Sequence, residues 1–143
     1  MNKKILAILA ILIVAASAVT FVSAADTVKV NDVEFNVPDG YKYDKNITDS
    51  YADQNGFEPG TLGIFSDSTG KNLILISVHD VESDVTVDDI NTHGYSHKII
   101  AGKDGIYTLD GKNNQFFMFE YIQDGKKIVV EANTEELVEE TIK

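Results

Sequence analysis

The sequence predicts an α+β domain built on one mainly antiparallel sheet of about six to seven strands with two short helices, preceded by an N-terminal signal or anchor helix. Three observations carry this. Short apolar runs recur after residue 26, parted by hairpin-sized turns rich in Gly, Asn and Asp. Only two segments, 86–93 and 134–142, carry helix signals. The first 25 residues differ in composition from the rest: Lys3 and Lys4 precede 18 uncharged residues, 5–22, and Ser23-Ala24-Ala25 stands before the first acid, Asp26.

A basic start, an apolar run and small residues before a polar domain describe an export signal. The run is longer than an ordinary signal core and close to the shortest membrane span, about 17 residues. Two outcomes stay open. Cleavage after Ala24 or Ala25 releases a soluble domain; retention leaves one transmembrane anchor through residues 5–22 with Lys3 and Lys4 inside. Either places residues 26–143 outside the cytoplasm, secreted or at the cell surface, as a single domain.

The strands follow in order. Thr27-Val28-Lys29-Val30 and Val33-Glu34-Phe35-Asn36-Val37 flank Asn31-Asp32, a two-residue hairpin turn, and Pro38-Asp39-Gly40 turns the chain again. Residues 44–60 are rich in polar and turn residues and read as loop with at most one short helix. Strands at 61–65 and 73–78 follow, the second apolar on both faces as a central strand would be. Thr86 is placed to cap a helix with Asp88 and Asp89 in its first turn, and Gly94 to end it. Four strands at 97–101, 106–109, 115–122 and 127–132 are joined by 102–105, 111–114 and Asp124-Gly125. Asn133 with Glu136 three residues on makes a capping box for the last helix, whose buried stripe is Leu137, Val138 and Ile142. Leu73, Leu75, Phe117, Phe119, Ile128 and Val130 are the expected core.

The chain has no cysteine and no arginine. Disulfides, thiolate metal sites and a lipidated cysteine are excluded, so an exported fold rests on its core alone. Residues 26–143 carry ten lysines against 23 acids, hence a formal charge of −13. Such a surface repels phosphate backbones, which excludes nucleic-acid partners, and it suits solubility or a cationic partner.

Four sets of residues are candidates for chemistry. His79 with Asp80, and His93 with His97, could share a metal if a helix held the second pair one turn apart; surface histidines parted by the helix-breaking Gly94 are the competing reading. Asp44, Asn46 and Thr48 resemble the start of a calcium loop, but Asp49 stands where a glycine is required, and only a looser site among Asp49, Asp53 and Glu58 survives. Asn46-Ile47-Thr48 is a glycosylation sequon. Tyr41, Tyr43, Tyr51 and Phe57 could form a binding platform for a sugar or peptide, or simply pack the loop onto the sheet. No Gly-x-Ser-x-Gly and no phosphate loop occurs, and no cofactor is expected.

With the export signal, Phe35-Asn36-Val37-Pro38-Asp39-Gly40-Tyr41, Gly105-Ile106-Tyr107, and Tyr121-Ile122-Gln123-Asp124-Gly125-Lys126 before an acidic terminal helix, the chain resembles small secreted archaeal proteins of uncharacterised activity. Its order of elements is also similar to that of PsbP-like domains, through the early strand, proline and glycine. Neither resemblance carries a functional residue over. The expected function is a noncatalytic extracytoplasmic binding or interaction module for an extracellular or cell-envelope partner; the alternative is a structural envelope domain without a small ligand.

Overall fold

Two-residue turns in which both residues have positive φ set the framework. They are Asn31-Asp32 (46° and 64°), Ala101-Gly102 (48° and 74°) and Asp124-Gly125 (51° and 70°). This is the geometry whose twist matches that of flanking antiparallel strands. The computed structural model describes residues 26–48, 60–110 and 115–143. The expected N-terminal helix lies outside them. Among the described residues no helix is long and apolar enough to cross a membrane.

The molecule is mostly β. Its strands are β1 (Thr27–Val30), β2 (Val33–Asn36), β3 (Tyr41–Thr48), β4 (Gly60–Asp67), β5 (Leu73–Asp80), β6 (Ser96–Ile100), β7 (Lys103–Asp110), β8 (Phe116–Gln123) and β9 (Lys126–Ala132). Two short helices, α1 (Val87–Ile90) and α2 (Glu135–Thr141), complete it. β1 and β2 form a separate hairpin, and the other seven strands make one antiparallel sheet in the order β3-β4-β5-β9-β8-β7-β6. The expected antiparallel sheet is therefore present with seven strands.

Directly paired residues share a face, so the register sorts the side chains. Phe65, Ile74, Ile76, Val78, Ile128, Val130, Phe119 and Tyr121 point to an inner face and are fully or almost fully buried. The β1–β2 hairpin and α2 cover that face with Val30, Phe35, Val138 and Ile142. A bridge between Phe35 and Ile142 adds the chain end to the hairpin, and Asn36 Nδ2 donates to the carbonyls of Glu140 and Ile142, each at 3.2 Å. Lys98 fastens the start of α2. Its Nζ pairs with Glu135 at 2.6 Å and lies over the rings of Tyr107 and Phe117, which stack at 5.4 Å.

Several expectations change. Leu73 is 39% exposed and Leu75 half-buried, because Ile74, Ile76 and Val78 occupy the inner face of β5. The strand is central, but only one side of it is core. Residues 44–48, expected as loop, extend β3, which carries a bulge between Tyr43 and Lys45. The connection after β6 is Ala101-Gly102 alone; Lys103, Asp104 and Gly105 already belong to β7. The helix expected over 86–93 is only four residues long, although Thr86 caps it as expected, in a reciprocal capping box with Asp89. The cap of α2 is Thr134, whose hydroxyl accepts from the Leu137 N–H at 3.2 Å, rather than Asn133.

The β4–β5 turn is held by one carboxylate. Asp67 accepts from the backbone N–H and hydroxyl of Thr69 and from Asn72 Nδ2. These bonds favour the ionised form and pull its pKa down to about 2. The folded value lies below the unfolded one, so this stabilisation is complete above about pH 4 and is lost as pH falls towards 2. Asp67→Asn should be less stable than the wild type at pH 7, and the gap should close between about pH 4 and pH 2 in urea titrations. A gap that persists unchanged at pH 2 would refute this role.

Candidate functional site

Tyr41 and Tyr43, read together as a platform, part company in the structure. Tyr43 lies edge-on to Phe65, with ring centroids 5.5 Å apart, and its hydroxyl is buried without a hydrogen-bond partner. Burial raises its pKa. It is a packing residue. Tyr51 and Phe57 lie outside the described residues, as do Asp49, Asp53 and Glu58 of the calcium reading.

Tyr41 instead borders a cleft of about 480 Å³ lined by Asp26, Asn36, Val37, Pro38, Asp39, Gly40 and Glu140. The local sequence builds one wall. Gly40 takes φ +81° and the Tyr41 N–H donates to the Pro38 carbonyl at 3.0 Å, so the chain reverses tightly between β2 and β3. Asn36 builds the opposite wall by tying β2 to the end of α2, which brings Glu140 to the rim. Burial, followed by the nearby charge of Asp67, raises the Tyr41 pKa. Its phenol therefore stays protonated at neutral pH. The residues lining the cleft include one aromatic, Tyr41, and three acids, Asp26, Asp39 and Glu140, a composition that suits a ligand bearing positive charge and opposes an anion.

The four proposed metal ligands are dispersed. Successive strand residues point to opposite faces. Asp80 pairs with Lys126 at 2.6 Å, while His79 points the other way and its Nε2 meets Ser77 Oγ at 2.5 Å. His93 lies in the loop after α1 and stacks on Tyr95 at 5.3 Å. His97 is in β6, 3.2 Å from Asp88. No helix joins His93 to His97. Among the described residues no three His, Asp or Glu side chains form a group that could hold a metal. Asn46 sits in β3 opposite Gly63, so the sequon belongs to a paired strand rather than a loop.

One polar group escaped the sequence reading. Ser77 and His79 share the outer face of the sheet with Glu120 and Lys127. The spacing Ser-x-His was visible, but only the strand register brings Glu120 near. Glu120 has its pKa raised by burial against opposing pulls from Lys127, His93 and His79. His79 Nδ1 is buried without a partner, packed over Gly60. The Ser77–His79 contact resembles a nucleophile with its base. However, Ser77 lies mid-ladder, paired to Leu62 on one side and Val129 on the other. Its backbone amides are committed to the sheet, which leaves no local pair of N–H groups to stabilise an oxyanion.

Comparison with protein-family models, curated proteins and solved structures finds no match to this chain.

Proposed function

We propose that the chain is a noncatalytic binding or interaction module that works outside the cytoplasm, and that its partner is an extracellular or cell-envelope molecule presenting a cationic group. The observation that carries this reading is the cleft beside Tyr41, with Asp26, Asp39 and Glu140 at its rim. Lys3-Lys4, the apolar residues 5–22 and Ser23-Ala24-Ala25 support the location. Mass spectrometry of the native protein distinguishes release, with a new N-terminus near residue 25, from anchoring, with the intact chain in the membrane. An intact chain in the soluble cytosol would sink both.

The binding reading is tested by thermal shift against polyamines, lysine-rich wall peptides, sugars and calcium. A cationic probe should give saturable stabilisation, and Tyr41→Ala should remove it. Because Tyr41 is only half-buried, the variant should still unfold cooperatively. No response to any probe would favour a structural envelope domain without a small ligand.

A further inference from the structure

We propose that β6 is a docking edge for a second copy of this chain, two β6 strands pairing antiparallel across a two-fold axis to join two seven-stranded sheets into one. The argument starts from the turn at Ala101-Gly102. In a two-residue hairpin the flanking residues, Ile100 and Lys103, exchange both backbone hydrogen bonds. Alternation then turns the N–H and C=O of Lys98 and Ser96 towards β7 as well. Those of His97 and Ile99 point away from β7, to the side of the strand where no other strand pairs among the described residues.

The two edges of the sheet differ. β3 carries a bulge and the charged sequence Lys42, Asp44, Lys45, devices that discourage strand addition. β6 has a single lysine, and its charge is withdrawn into its own subunit by Glu135 and the rings of Tyr107 and Phe117. Meanwhile Ile99 is 70% exposed beside the open amides, the most exposed large apolar side chain among the described residues. Although the chain is strongly negative, β6 itself contains no acid, and its one cation, Lys98, is paired to Glu135; the nearby carboxylates Asp88 and Asp104 stand on α1 and β7. Two copies of β6 can therefore lie side by side without setting carboxylates of the strands opposite one another.

The spacing selects the register. His97 and Ile99 are two residues apart, so His97 can pair with the partner's Ile99 while Ile99 pairs with the partner's His97. That closes four N–H···O=C bonds around the axis and covers both isoleucines. Lys98 then lies on the axis, opposite the partner's Lys98, each neutralised by its own Glu135. An extended segment of another protein is the competing occupant of the same edge.

Sedimentation velocity of the purified protein over roughly 1–300 μM should show reversible dimerisation. Ile99→Lys should weaken it at least about tenfold. His97→Pro should do the same, because it deletes an outward N–H that the ladder does not use. Leu73→Lys, exposed but remote on β5, should have no effect. The chain has no native cysteine, which allows a register test. Lys98→Cys should oxidise to a disulfide-linked dimer, whereas Ser96→Cys, four residues from its counterpart's strand position, should not. A monomer at every concentration, an unaffected dimer in both β6 variants, equal crosslinking at 96 and 98, or a monomer that instead binds a foreign strand would each overturn the proposal.

Discussion

Replacing Phe119 by alanine should lower the stability of the domain by about 3–5 kcal/mol, read as a shift in the urea unfolding midpoint at constant slope. Phe119 is fully buried in β8, between Val130 of β9 and Tyr107 of β7, and its ring stacks on Tyr121 with centroids 5.6 Å apart. The loss has two parts: the transfer of a large apolar side chain and the cavity it leaves. The site collapses poorly, because its floor is a paired strand on each side rather than a mobile loop. A fold without disulfides has no covalent constraint to offset the loss. A shift below about 1 kcal/mol would mean that the sheet's inner face is not the core.

Phe119 was legible in the sequence because the one acid of β8, Glu120, marks the wet face and so assigns its neighbours Phe119 and Tyr121 to the other. Where that contrast is missing, the pattern fails. Leu73-Ile74-Leu75-Ile76 is apolar at every position, so period 2 does not say which half faces inward. That is decided by pairing with β9, which sets Ile76 against Val130 and Val78 against Ile128. Turn chemistry is local and read well: Asn31-Asp32 and Asp124-Gly125 favour positive φ by residue type alone. Gly102 and Gly105 misled together, since both look like turn residues and only Gly102 has positive φ. Of the candidate site, Pro38-Asp39-Gly40-Tyr41 was visible as a turn. The cleft was not, because its far wall depends on Asn36 reaching Glu140, more than a hundred residues away. The Ser77–His79–Glu120 group likewise needs three strands in register.

Gly105 is a glycine for lack of room, and Gly105→Ala should cost about 2–3 kcal/mol, near the top of the range for overpacking. A Cβ there would meet the backbone carbonyl of Glu120 and lie 2.6 Å from Phe119 Cζ. The ring can tilt, but the carbonyl belongs to the β7–β8 ladder and cannot move without breaking it. Gly40→Ala is the informative contrast. Its φ of +81° is unfavourable to alanine, yet nothing stands within 4 Å of the added Cβ. It should cost only the left-handed backbone penalty, about 1–2 kcal/mol. A double-mutant cycle separates the two obstacles at position 105. In the Phe119→Ala background the ring is gone and the carbonyl remains, so Gly105→Ala should cost less than in the wild type but still destabilise. A cost unchanged by removing the ring would place the whole conflict on the strand backbone, and a cost that vanished would place it on Phe119.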